Sequence, residues 1–145
     1  MADAVRSGGE GAPLRVLVVE DDPGVSAMIV ETLAQWRAIE CGTATSFEEA
    51  AAALSAREYR ALVVDSRLQS GTGADVYRHL RETGSPLQGR IVFITGWLED
   101  PELEEICRLS GNAFIRKPFV QAEFLPSLER ALGVGREAWL GPAMK

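Results

Sequence analysis

The segment LRVLVVEDD, residues 14–22, carries the most informative pattern in this chain. Five of its first six residues are apolar, three of those are valine, and three carboxylates follow at once. A short β-branched apolar run that ends so abruptly is typical of a strand buried on both faces of a parallel sheet. We therefore predict the first strand here, with acidic residues at its carboxyl end.

Four further segments have the length and composition of strands. The segment at 38–43 is interrupted by Glu40 and Gly42, which favours a place at or near an edge of the sheet. The segment at 61–64 ends in Asp65 and so repeats the first pattern, an apolar run that delivers a carboxylate. The remaining predicted strands are residues 91–94 and 113–116.

Amphipathic helical patterns alternate with these strands. Their starts carry helix-initiating residues: Pro23, a capping box of Ser46 and Glu49, and Asp100 before Pro101. The first helix is expected to end near Trp36, and Pro126 should bend the fifth, which ends at Gly133. The apolar stripes predicted to face the core are Val25, Met28, Ile29, Leu33, Trp36; Phe47, Ala50, Ala51, Leu54; Val76, Tyr77, Leu80; Leu103, Ile106, Cys107; and Phe124, Leu125, Leu128, Ala131, Leu132.

Alternation of strands and helices predicts an α/β fold. Consecutive strands then pair in parallel through right-handed crossovers, and helices cover both faces of one five-stranded sheet. The domain should span residues 14–132, after a flexible leader at 1–13 whose composition lacks an apolar period. The tail at 133–145 is too short for a second domain and is expected to lie on the surface.

Composition excludes several classes of function. The chain has 145 residues with 46% apolar and 25% charged side chains, as in an ordinary globular domain. A net charge of −6 argues against direct binding of DNA or of an anionic membrane. A transmembrane run and a signal peptide are not recognisable, so we predict a cytoplasmic protein. Cys41 and Cys107 are too few for a disulfide framework and are interpreted as core filling.

Five polar side chains follow the predicted strands. Because parallel strands end at one edge of a sheet, we expect them to converge there: Glu20, Asp21, Asp65, Thr95 and Lys117. Clustered carboxylates repel unless a cation or protons intervene, and an all-oxygen site of this kind suits Mg²⁺. Lys117 and Thr95 could hold phosphoryl oxygens, and a remaining carboxylate could act as a nucleophile. Asp22 is interpreted as a solvated residue at a helix start.

The motifs LVVEDD, LVVD and FIRKP, with the strand that ends at Thr95, together resemble the receiver domain of bacterial two-component response regulators. The resemblance covers residues 14 to about 132. It implies a (βα)₅ flavodoxin-like fold with strand order 2-1-3-4-5. It also implies that Asp65 accepts a phosphoryl group from a histidine kinase or a histidine phosphotransfer protein.

The resemblance further implies roles for the surrounding residues. Glu20 and Asp21 would hold Mg²⁺, directly or through water, with Asp65 and the backbone carbonyl of Arg67 completing the shell. The phosphoryl oxygens and the switch would involve Thr95, Lys117 and Phe114, and the Lys117–Pro118 peptide bond would be cis. The face formed by the fourth helix, the fifth strand and the fifth helix would bind a downstream protein effector. The same face also allows a homodimer.

Some residues depart from the family pattern. Glu20 stands where aspartate is frequent, which favours a water-mediated metal contact, and Gln69 replaces a usual proline, which favours a more mobile loop. Phe114 offers no hydroxyl to a partner. Arg67 and Trp97 occupy positions that influence hydrolysis of the acyl phosphate in this family. We hypothesise that their bulk hinders the attacking water and prolongs the phosphorylated state.

Other functions remain open at this stage. A hydrolase of the haloacid dehalogenase type needs a second acid two residues after its nucleophile, whereas Asp65 is followed by Ser66 and Arg67. A receiver-like interaction module that no longer takes phosphate is a further alternative, as is the receiver module of a hybrid histidine kinase. The short segment after Pro118 leads us to expect no effector domain here. His79 is interpreted as a surface residue.

Overall fold

Five strands and five α-helices alternate in the computed structural model, which describes residues 13–96 and 100–135. The strands are β1 Leu14–Val19, β2 Ile39–Ala44, β3 Ala61–Asp65, β4 Ile91–Thr95 and β5 Ala113–Arg116. The helices are α1 Pro23–Ala34, α2 Phe47–Ala56, α3 Gly73–Glu82, α4 Pro101–Ser110 and α5 Gln121–Leu132. A short 3₁₀ helix, Pro86–Gly89, precedes β4.

The sheet is parallel with strand order β2-β1-β3-β4-β5, which confirms the predicted α/β class and topology. The interrupted strand β2 lies at one edge, as its sequence predicted. All five residues of β3 and all five of β4 are buried. These two strands read as continuous apolar runs because helices cover both of their faces.

Alternate side chains of each strand enter two separate cores. The core on one face of the sheet combines Val16, Val18 and Val63 with residues of α1 and α5, including Leu33 and Phe124. The other core is built from the intervening strand residues and from α2, α3 and α4: Leu17, Val19, Leu62, Val64, Ala50, Val76, Leu80 and Leu103. Because side chains alternate between the two faces of the sheet, the position of a residue just after a strand determines which face its side chain approaches.

One expectation for α1 is wrong. Met28 is 43% exposed, because Ile29 and Leu33, four residues apart, form the line of contact with the sheet and Met28 is rotated away from it. The helix ends at Ala34, two residues before Trp36, and so near it as predicted. Trp36 is nevertheless buried, since the turn that follows the helix carries it into the core.

The capping predictions are correct at Asp100 and partly wrong at Ser46. Asp100 caps α4 by accepting a hydrogen bond from the Leu103 amide at 3.1 Å, with Pro101 as the first helical residue. Ser46 caps α2, but the Glu49 carboxylate accepts from the amide of Thr45, at 2.8 Å. The second half of the predicted capping box is therefore displaced by one residue.

The prediction that His79 lies on the surface is only partly correct. Its ring is half-buried and packs edge-on against Phe47, with 5.7 Å between the ring centroids. The contact joins α2 to α3, which the sequence of α3 alone could not reveal. Both cysteines are partly buried against the cores, and burial is the main cause that raises the thiol pKa of Cys41 to about 11 and of Cys107 to about 12.

The fifth helix continues through Pro126, which is exposed at its sixth position. The helix ends at Leu132 and is capped by Gly133, whose φ of 73° is readily adopted only by glycine. Residues 1–12 of the predicted leader (1–13) and residues 136–145 of the predicted tail (133–145) lie outside the described residues. None of the helices that the structure describes is long and apolar enough to cross a membrane.

Candidate functional site

The carboxyl edge of the sheet brings an acidic cluster and a lysine together. One carboxylate oxygen from each of Glu20, Asp21 and Asp65 lies within 4.8 Å of the others. The Lys117 ammonium lies 3.2 Å from Glu20 Oε1 and 3.3 Å from Asp65 Oδ2. Four of the five side chains expected to converge are therefore neighbours.

Strand alternation explains this convergence. The core formed with α1 and α5 includes Val18, Val63 and Ile115. Two residues after each of these, in the same order, come Glu20, Asp65 and Lys117. Each therefore approaches the same face at the end of its strand. The peptide bond between Lys117 and Pro118, just after β5, is cis.

The turn after β1 is fixed by Asp22, as expected for an acid at a helix start. Its Oδ1 accepts from the amides of Gly24 at 2.8 Å and Val25 at 3.3 Å, and so caps α1. The Asp22 amide donates to Glu20 Oε2 at 3.1 Å. The turn thus holds the Glu20 carboxylate while it leaves Asp21 exposed.

Burial gives the site unusual electrostatics. Glu20 is only 2% exposed, and burial first, then the Asp65 carboxylate, raises the pKa of Glu20 to about 7. Burial lowers the pKa of Lys117, but the Asp65 and Glu20 carboxylates outweigh this and raise it. The lysine is therefore a fixed positive charge between two carboxylates, one of which is costly to ionise.

The donor set fits a hard divalent cation. Glu20 Oε1 is buried and accepts no hydrogen bond, although the lysine lies within ion-pair distance. Exposed Asp21 opens the cluster to solvent, and all three groups offer oxygen, the ligand that Mg²⁺ prefers. Glu20, Asp21 and Asp65 could hold such an ion, which would also relieve the repulsion between them.

We expect Glu20→Gln to stabilise the protein at about pH 8 in a chelating buffer. The raised pKa means that ionised Glu20 is disfavoured in the folded state, and this penalty is full above pH 7 and fades as the pH falls toward 4.5. The neutral amide should raise the free energy of unfolding by about 1–3 kcal/mol at pH 8 and by much less near pH 5. Urea unfolding at both pH values measures the change.

Glu31→Gln is the matched control, since Glu31 is exposed on α1 and the same substitution there should change stability by under about 0.5 kcal/mol. A loss of stability for Glu20→Gln at pH 8, or a gain that does not shrink near pH 5, contradicts this electrostatic account.

Thr95 is completely buried, and its backbone carbonyl accepts a hydrogen bond from the Lys117 amide at 2.7 Å. Its Oγ1 accepts a hydrogen bond from the Ser66 hydroxyl at 2.9 Å. Sequence reasoning did not assign a role to Ser66. A signal was present, because a serine directly after the β3 carboxylate lies beside the last residue of β4 when the two strands pair in parallel.

Of the remaining predicted residues, the structure describes Phe114, Arg67 and Gln69. Phe114 is half-buried on β5 against the core formed with α2, α3 and α4. Arg67 is exposed where the loop leaves β3, and it pairs with Thr72 in an antiparallel bridge. Trp97 lies outside the described residues. The Gln69 backbone amide donates to the Thr45 carbonyl, and the Thr45 hydroxyl donates to Gln69 Oε1, at 3.3 Å each.

Gly73 allows the loop after β3 to return close to the phosphoacceptor candidate. Its amide donates to the Ser66 carbonyl at 3.0 Å, and a Cβ at this position would lie 2.7 Å from the Asp65 carbonyl oxygen. That oxygen belongs to the backbone and cannot move without shifting β3. Glycine is therefore required by close approach and not by an unusual φ.

Gly73→Ala is expected to lower the free energy of unfolding by about 1–3 kcal/mol, the usual cost of forcing a methyl group into a filled space. Gly89→Ala is the control, because a Cβ there meets no atom within 4 Å, and its effect should stay within about 0.5 kcal/mol. Denaturant unfolding compares the two. Equal stability of both variants contradicts the importance of this contact.

Comparison with known proteins agrees with the fold. The response regulator receiver domain family matches residues 16–129. The transcriptional regulatory protein CitB of Klebsiella pneumoniae is 29% identical over 118 residues, which cover 81% of this chain and 50% of CitB. The chain therefore spans about half the length of this curated relative.

Solved structures of receiver domains superpose closely. The non-phosphorylated HemR receiver domain from Leptospira biflexa has a TM-score of 0.72 and 30% identity, over 85% of this chain and 97% of that one. The receiver domain of the sensor histidine kinase PA1611 from Pseudomonas aeruginosa, with a magnesium ion in its active site cleft, has a TM-score of 0.65 and 25% identity, over 84% and 99%. This chain belongs to the family of response regulator receiver domains.

Proposed function

We propose that the chain is a phosphorylation-dependent signalling switch, in which Asp65 accepts a phosphoryl group from a histidine kinase or a histidine phosphotransfer protein. The observation that carries this proposal is the Asp65 carboxylate in contact with Lys117 and beside two further acids. A structural ion pair would not need three clustered carboxylates with one lysine beside two of them, since the excess negative charge is destabilising without a cation.

In the proposed reaction, one Asp65 oxygen attacks the phosphorus of a phosphohistidine. A phosphorus–oxygen bond forms, the phosphorus–nitrogen bond breaks, and its electron pair returns to the imidazole nitrogen. Lys117 balances charge on the phosphoryl oxygens from the position where it now contacts the Asp65 carboxylate. The Thr95 hydroxyl would bind a phosphoryl oxygen after it moves.

The groups that would hold Mg²⁺ are Glu20, Asp21, Asp65 and the backbone carbonyl of Arg67. When bound, Mg²⁺ supplies the positive charge that neutralises both the carboxylates and the incoming phosphoryl group. The magnesium ion in the active site cleft of the Pseudomonas receiver domain supports this assignment. Because Glu20 is longer than aspartate, we expect its contact with the ion to run through water.

The output of the switch would be a change in the face formed by α4, β5 and α5. This face includes Phe114, which is half-buried and so has room to change its exposure. We propose that this surface binds a downstream protein effector. A homodimer formed through the same surface would be a second mode, and the protein would act in the cytoplasm.

Arg67 and Trp97 would slow loss of the phosphoryl group by obstructing the attacking water.

Incubation of the protein with acetyl phosphate tests the proposal. We expect the intact mass to increase by one phosphoryl group when Mg²⁺ is present and to remain unchanged when the chelator EDTA removes it. The added group should be lost in mild alkali, as an acyl phosphate is. Labelling that is independent of the cation, or that survives alkali, argues for a different reaction.

A further inference from the structure

The hydroxyl groups of Ser66 and Thr95 form a buried pair at the carboxyl edge of the sheet. Ser66 is 3% exposed and Thr95 is 0% exposed, and their oxygens are 2.9 Å apart. The Ser66 amide donates to the Ile94 carbonyl at 2.8 Å, which continues the parallel pairing of β3 with β4 by one residue. The backbone therefore fixes the two side chains beside each other.

This pair approaches a different face of the sheet from the acidic cluster. Asp65 follows Val63 and points toward the core formed with α1 and α5, where the Lys117 contact lies. Ser66 and Thr95 follow Val64 and Phe93, which belong to the core formed with α2, α3 and α4. The Thr95 hydroxyl is thus paired on the side of the sheet edge away from the Asp65 carboxylate.

We propose that Ser66 is a positioning residue that holds Thr95 away from Asp65 in the unphosphorylated protein. The inference rests on the proposed function, since it concerns the hydroxyl that would bind a phosphoryl oxygen. Because the Thr95 side chain lies on the other face of the sheet edge, we expect it to leave its hydrogen bond from Ser66 when it reaches that oxygen. Ser66 therefore biases the receiver toward its resting conformation without contacting the phosphoryl group itself.

The size of the bias follows from the net strength of a neutral hydrogen bond within a protein. Loss of one such bond shifts an equilibrium roughly two- to tenfold. Because Ser66 competes only in the resting state, its removal should tighten binding of a phosphoryl analogue. A merely structural serine would instead affect stability, with no preference for the liganded state.

Binding of beryllofluoride with saturating Mg²⁺ measures this preference, since the complex imitates a phosphoryl group on a carboxylate. Titration should be carried out on the wild type, Ser66→Ala, Thr95→Ala and the double variant. We expect Ser66→Ala to lower the dissociation constant roughly two- to tenfold in the wild-type background. In the Thr95→Ala background the same substitution should have no effect, because Ser66 acts through the Thr95 hydroxyl.

Unchanged or weaker binding by Ser66→Ala overturns the inference, as does an equal gain in the Thr95→Ala background. Asp65→Asn separates this result from the proposed function. If the wild type binds beryllofluoride and Asp65→Asn does not, the phosphoacceptor role stands whatever Ser66 does. If the wild type itself does not bind, the proposed function and the role of Ser66 fail together.

Discussion

Asp65→Asn is expected to abolish phosphorylation of the protein by acetyl phosphate. Only a carboxylate oxygen can form the acyl phosphate, and the asparagine amide is a far weaker nucleophile. Asp65 is 6% exposed, and its neighbours Glu20 and Lys117 stay in place when one oxygen becomes a nitrogen. The variant should therefore fold and still fail to gain mass when Mg²⁺ and acetyl phosphate are both in excess.

Asp22→Asn is the matched control for this substitution. Asp22 neighbours the acidic cluster in sequence, but its side chain caps α1, a role that asparagine also performs well. This variant should be phosphorylated like the wild type. Phosphorylation of Asp65→Asn at the wild-type rate contradicts the assignment of Asp65, and unfolding of Asp65→Asn, monitored by circular dichroism, shows that its loss of labelling has another cause.

Phe124→Ala is expected to cause the largest loss of stability among the substitutions considered. Phe124 is 1% exposed in the core formed with α1 and α5, and its ring stacks on Phe119 with 5.5 Å between centroids. Removal of a buried aromatic ring and the cavity left behind typically cost about 3–5 kcal/mol. Since the neighbouring strand and helix residues are equally buried, the site has little scope to close around the gap.

Guanidinium unfolding measures this loss, with Leu109→Ala as the control. Leu109 is 69% exposed on α4, so its truncation should change the free energy of unfolding by under about 0.5 kcal/mol. A loss below about 1 kcal/mol for Phe124→Ala would show that α5 contributes little to the core.

The strands were predictable from sequence because burial on both faces leaves a continuous apolar run. The runs ending at Val19 and Asp65 are of this kind, and both lie inside the sheet. The edge strand β2 was recognisable from its interruptions at Glu40 and Gly42. Convergence of the acidic residues and Lys117 followed from a topological rule, since parallel strands end at one edge.

Features that depend on contacts between distant segments were not predictable in this way. Met28 satisfies helical spacing but is rotated out of contact, and His79 is partly covered by Phe47 from the preceding helix. The pairing of Ser66 with Thr95 depends on the register between β3 and β4. The alternating burial pattern of the paired strands sets that register, so neither strand alone identifies the partner of Ser66.

The chemical location of the phosphoryl group shows whether Asp65 is the phosphoacceptor. Reduction of the phosphorylated protein with borohydride converts an aspartyl phosphate to homoserine, which peptide mass spectrometry can assign to one residue. Phosphorylation of Asp65 predicts homoserine at position 65 alone, and only in samples phosphorylated with Mg²⁺. Homoserine at Asp21 or at another acid, or phosphate retained on a hydroxyl or on His79, would contradict it.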